Sequence, residues 1–183
     1  PVKLVQDGSI QCYTAYLSEP YATNHPVRVK PDGYRGFPHM STEVLQQKIE
    51  AIIDMGKPFA IHANGDATID VIIDAVSHCR NLDKIQPRNL IIHCQTVRDD
   101  QLDKMKELSL YPSFFPAHIY VWGDRHANNF LGQERASRIS PCASALNRGL
   151  RISLHNDEPV TKAEPLGLVW NAVSRTTSSG KVL

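Results

Sequence analysis

The sequence has no long apolar run. None approaches the ~20 residues of a membrane-spanning helix, so a membrane partner is not expected, and no signal peptide is visible. It also lacks a charge imbalance. Twenty Lys and Arg stand against nineteen Asp and Glu, a formal net charge of +1, which gives no electrostatic reason to expect nucleic acid or an anionic surface. Cysteine is scarce: Cys12, Cys79, Cys94 and Cys142 form no CxxC pair and no even spacing. A disulfide framework is therefore not indicated, and a reducing, cytoplasmic setting is the default. GxSxG, GxGxxG and a Walker loop are all missing, as is a cysteine in an electropositive setting, which leaves nucleophilic and nucleotide-binding readings without support. A starting methionine is missing too. The chain opens at Pro1 and closes at Lys-Val-Leu after Thr-Thr-Ser-Ser-Gly, and the expectation is that both ends are cut from something longer.

What is present is enough for one domain over residues 1–183, with 42% hydrophobic and 21% charged residues, ordinary for a globular fold. Five short runs fit for buried strands each end in a polar, metal-capable or acid–base residue: Val2–Asp7, Pro58–His62, Asn89–His93, Tyr111–His118 and Leu150–Asp157. Between them, helical spacing recurs in Val44, Leu45, Ile49, Ile52 and Ile53, in Ile69, Ile72, Ile73 and Val76, and in Leu102, Met105 and Leu108. Ser41 or Thr42 is placed to cap the first helix and Asp66 the second. Single-helix crossovers between strands mean a parallel sheet. The fold class is α/β, read as a partial TIM-type (β/α) barrel, whose active groups sit at the carboxyl ends of the strands. Five strands fall short of the eight that close such a barrel. An open flavodoxin-like sheet fits the length better and also binds at strand ends, but metal-type rather than phosphate-type residues at those ends favour the barrel. The irregular stretch from Tyr13 to Ser41, rich in proline and aromatics, reads as a packed loop that covers a substrate.

His62 and His93 each end an apolar run one βα unit apart, where neutral imidazole suits Zn²⁺ or a similar cation. Singly, such a histidine is more often structural; together they favour ligation. Asp157 follows the last strand, where a carboxylate can bind metal and move a proton between water and a leaving amine, or cap a turn. His118 and Gln95 are candidates to touch substrate, and His155 adds to the site or packs beside it. Lys3 and Asp7 share strand parity and both face the interior of a barrel. Lys3 either bridges metals once carboxylated or only hydrogen-bonds nearby. Cys94 beside His93 reads as a buried thiol rather than a thiolate ligand. His126, with Asp124 and Arg125, is assigned to an exposed loop, and His25 to no constellation.

At these residues the chain resembles the amidohydrolase superfamily, family 3, in its YtcJ-like branch. Val2-Lys3-Leu4 with Asp7-Gly8-Ser9 and Ala15 is similar to the fourth-strand segment, continued by Glu19-Pro20-Tyr21. His62-Ala63-Asn64-Gly65-Asp66-Ala67 with Ile69 resembles the HAxGDxAI motif of strand five, and Ile92-His93 with Gln95 strand six. Pro116 and His118 match strand seven, Gly132 with Glu134-Arg135 the GxERA box, and Asn156-Asp157-Pro159 the SDxPV box after strand eight. The resemblance covers strands 4–8 and lacks the HxH pair of strand one and the β-sandwich; His155-Asn156 stands where Gly-Ser is usual. It implies hydrolysis of amide-type C–N bonds in small molecules with one or two divalent metals, often zinc. His62 and His93 would be ligands, Asp157 ligand and general base, and Lys3 a metal-bridging position. Two alternatives remain: a non-catalytic half barrel whose free edges lead to a homodimer, and an open α/β binding module.

Overall fold

The computed structural model describes residues 1–22 and 30–183. His25 and the middle of the Tyr13–Ser41 stretch lie outside the described residues. Five parallel strands, β1 (Val2–Val5), β2 (Phe59–Ala63), β3 (Asn89–His93), β4 (Leu110–Phe114) and β5 (Ser153–Leu154), form one sheet in the order β1-β2-β3-β4-β5. A doubly wound sheet reverses its strand order at a switch point. This one does not, so the flavodoxin-like alternative is excluded, and the sheet is the singly wound arc of a barrel.

Helices α1 (Thr42–Asp54), α2 (Asp66–Ser77), α3 (Asp99–Glu107) and α6 (Cys142–Asn147) pack on the outer face. Leu45, Ile49, Ile72, Leu102 and Met105 from these helices meet Phe59, Ile61, Ile91, Leu110 and Phe114 from the strands, all fully buried. Burial of such side chains contributes about 1.5–3 kcal/mol apiece, and this layer is the main core. Ser41 caps α1 by accepting from the Val44 N–H. The second cap differs from expectation: Gly65 is the N-cap of α2, and Asp66, inside the first turn, accepts instead from Ser18 and from Arg98.

The opposite face carries Lys3, Ala60, Leu90 and Tyr111 at one level and Val5, His62, Ile92, Ser113 and Ser153 at the next. Parallel sheets are ordinarily covered on both sides. Here Lys3, Val5 and Ser153 are exposed and Leu90, Ile92 and Tyr111 only half-buried, so the concave side of the arc is open among the described residues. No helix is long and apolar enough to cross a membrane.

The long loop after β1 is an ordered layer. Ile10, Tyr13, Ala15, Leu17 and Tyr21 build a second core with Ile119, Phe130, Leu131 and Ile139. These come from the segment of α4 (Ala117–Arg125), a π-helical turn (His126–Phe130) and α5 (Gln133–Ser137). Tyr21 and Tyr34 donate to the Ala15 and Tyr13 carbonyls. The chain closes with α7 (Pro165–Ser174), beside α4.

Candidate metal centre

The two strand-end histidines do not occupy equivalent positions. His62 pairs across the sheet with Ile92, whereas His93 pairs with Ala63 and Phe114. Strand alternation alone would send His93 to the helix side with Ile91. The backbone departs from alternation there: His93 has φ +74 and Cys94 φ +45, a left-handed conformation uncommon outside glycine. That turn brings the His93 ring to 4.6 Å from the His62 ring, edge to face. Cys94 goes to the helix side, where it is fully buried, donates Sγ–H to the Ile91 carbonyl and takes no part in the cluster.

Across the mouth, β5 continues into His155 and then Asp157, whose φ of +53 is also left-handed. One donor atom each from His93, His155 and Asp157 lie within 4.8 Å of one another. His155 Nε2 is 3.2 Å from His93 Nδ1, and its Nδ1 is 3.1 Å from the Ser113 hydroxyl. Burial first, then the neighbouring charges of His62, His155 and Lys3, push His93 down to about 2. Burial likewise lowers His155, against the opposing pull of Asp157. Both rings are therefore neutral near pH 7 and offer lone pairs. Two imidazoles and a carboxylate at this separation fit a divalent transition metal. His62 stands beside the trio with Nδ1 turned to Asp7 Oδ1 at 3.2 Å. Lys3 lies on the open concave face beside Ala60. Asp7 does not share that face; it is fully buried beneath the loop after β2.

His118 and Gln95 sit behind this mouth. The His118 ring is 5.9 Å from His93, 4.4 Å from Phe115 and 5.6 Å from Trp122, and burial holds it well below the ordinary histidine range. Gln95 is fully buried with its amide 3.2 Å from His126 Nε2, so neither residue presents surface to a substrate. His126 is not in an exposed loop. It is fully buried, opens the π-helical turn, packs 5.9 Å from His118 and is lowered by burial, then by Arg125, to about 3. The roles of His155, Ser113 and Asp7 escaped sequence reasoning because their partners lie 42 to 62 residues away. The one available signal was the two-residue spacing of His155 and Asp157.

The family model described as the amidohydrolase family matches residues 1–183. The N-substituted formamide deformylase of Arthrobacter pascens is 28% identical over 130 residues, which is 70% of this chain and 24% of that protein. YtcJ of Bacillus subtilis (strain 168), which carries amidohydrolase in its name, is 24% identical over 97% of this chain and 32% of its own length. The crystal structure of an uncharacterized metal-dependent hydrolase from Pyrococcus horikoshii OT3 superposes with a TM-score of 0.79 at 30% identity, covering 99% of this chain and 34% of that one. The chain thus spans between a quarter and about a third of the length of these relatives.

Proposed function

The chain belongs to the amidohydrolase family, and from that premise we propose that it supplies the strand-end metal centre of a hydrolase acting on amide-type C–N bonds of small molecules. The observation that carries this reading is the convergence of His93, His155 and Asp157 within 4.8 Å at the carboxyl edge of the sheet, where singly wound α/β folds keep their chemistry. The resemblance of the chain to a formamide deformylase supports the bond type. A divalent cation, zinc by its ligand preference, alone or with a second ion, supplies positive charge that polarises a carbonyl and acidifies water toward a pKa of about 7. The chain does the rest. Neutral His93 and His155 hold the cation, with His62 beside them. Asp157 completes the set, takes the proton from the attacking water and passes it to the departing nitrogen. Lys3, on the same concave face, is the candidate to bridge a second ion. His118 and Gln95 hold the mouth's shape from behind rather than touching substrate, and the Tyr13–Tyr34 layer walls it.

Metal content tests this directly. Protein purified without chelator or nickel resin should carry or take up close to one zinc per chain, and His93→Ala should abolish it. A chain that neither retains nor binds zinc, manganese or iron would overturn the proposal.

A second reading concerns assembly. Among the described residues, β1 and β5 each have an unpaired edge, and α7 exposes Leu166 (87%), Val169, Trp170 and Val173 (80%) at i, i+3, i+4 and i+7. A continuous exposed apolar stripe marks a contact surface. The chain by itself is proposed to self-associate, a homodimer being the simplest form, and to be inactive until the arc is completed.

A further inference from the structure

Asp7 is fully buried, yet five donors converge on its carboxylate. Oδ1 accepts from the Asn64 backbone N–H at 3.0 Å and faces His62 Nδ1 at 3.2 Å. Oδ2 accepts from the backbone N–H of Gly65 at 2.9 Å, that of Tyr16 at 3.2 Å, and the Thr68 hydroxyl at 2.7 Å. Three chain segments therefore end on one side chain: the loop after β1, the turn after β2 and the first turn of α2. Four of these contacts are explained by loop architecture. The contact with His62 is not needed for that purpose.

We propose that Asp7 is the positioning residue of the metal centre, holding His62 as its Nδ1–H tautomer so that Nε2 presents a lone pair at the mouth. The proposal rests on the reading of His62 as a member of that centre. An ionised carboxylate only accepts, so the hydrogen between Asp7 and His62 belongs to Nδ1. The far edge of the ring agrees. Asn64 Nδ2 lies 3.4 Å from His62 Nε2, and its orientation is fixed because the same nitrogen donates to the Gly8 carbonyl at 2.8 Å. An acceptor at Nδ1 and a donor facing Nε2 select one tautomer from both sides. Metal-binding histidines ordinarily give their second nitrogen to such an acceptor, which fixes the ring and raises its basicity. Asp7 differs from a surface partner in being unable to turn away, since its other oxygen is held by three donors.

The tautomer is readable without any metal. In a long-range ¹H–¹⁵N correlation spectrum of the labelled, zinc-free chain, with the His62 signals assigned by their loss in His62→Gln, the wild type should show Nδ1 protonated and Nε2 bare. Asp7→Asn, which places an amide N–H among the donors, should shift His62 toward the Nε2–H form. It should also weaken zinc binding, followed by calorimetry, about 10–100-fold. Thr68→Val removes a donor to Asp7 without touching His62; it should lower the melting temperature yet leave tautomer and zinc affinity as in the wild type. A wild-type His62 found as the Nε2–H tautomer overturns the proposal, and that spectrum decides the matter even if Asp7→Asn does not fold. An Asp7→Asn chain with an unchanged tautomer would also overturn it and reduce Asp7 to a loop anchor. If instead His62→Gln leaves zinc affinity unchanged, the metal role of His62 fails while the tautomer result still judges Asp7.

Discussion

Neutral imidazoles buried at the mouth tie the stability of the fold to pH. His93, at about 2, His126, at about 3, and His118, well below the ordinary value of 6.5, refuse protons that they accept once unfolded. The unfolded chain therefore binds more protons below pH 6.5, and stability present above that value is lost as pH falls toward the folded values. Each such group withdraws about 1.4 kcal/mol per pH unit, so three of them together withdraw at most about 4 kcal/mol between about pH 6.5 and 5.5. Urea midpoints of the zinc-free chain should drop accordingly over that interval. In His126→Gln the slope should be smaller by about one proton; an unchanged slope would mean that His126 already exchanges protons in the folded state. The individual candidates His62, His93 and Asp157 were legible in the sequence as polar endings of apolar runs. The left-handed turn at His93 was not, because nothing in Leu-Ile-Ile-His-Cys-Gln marks a non-glycine residue for φ +74. It is imposed by tertiary packing that buries Cys94 on the helix side.

At the scale of elements, strand and helix alternation could be read from apolar spacing almost throughout. The exceptions have physical causes. The run Leu150–Leu154 yields only Ser153–Leu154 as paired strand, because β5 is an edge with one partner. The segment 117–139 reads as mixed in sequence, yet it forms two helices and a π-helical turn because Ile119, Phe130 and Ile139 find the loop aromatics to pack on. The turn after β2 offers a sharp test of which glycines matter. Gly65 has an ordinary φ of −82, but a Cβ there would lie 1.9 Å from the Tyr16 carbonyl oxygen. Gly56 has φ +63 with open space around it. Gly65→Ala should therefore cost about 3 kcal/mol or more through a backbone clash, and Gly56→Ala only about 1 kcal/mol of conformational strain. Denaturation curves that rank the two the other way round would show that the β2–α2 turn yields where the structure has it tightly packed.

For the molecule as a whole, the open concave face and the α7 stripe dominate behaviour in solution. Sedimentation velocity should find species larger than a monomer at micromolar concentration, and Val173→Lys with Leu166→Lys should shift the distribution toward the monomer. A wild-type chain that remains strictly monomeric would remove the assembly reading. The half-barrel character was legible from the strand count and from the resemblance over strands 4–8. The uncovered face was not, because Leu90, Ile92 and Tyr111 look like core in sequence. One feature described above has an engineering consequence. The contacts Asp7–His62 and His93–His155 span 55 and 62 residues, and the exposed residues Asp83, Lys84, Pro87 and Arg88 lie between the two histidines that face each other. A chain cut there would leave Asp7 and His62 on one piece and His93, His155 and Asp157 on the other. The reunited halves would then signal their own assembly through the change in zinc uptake, a split reporter already present in the fold.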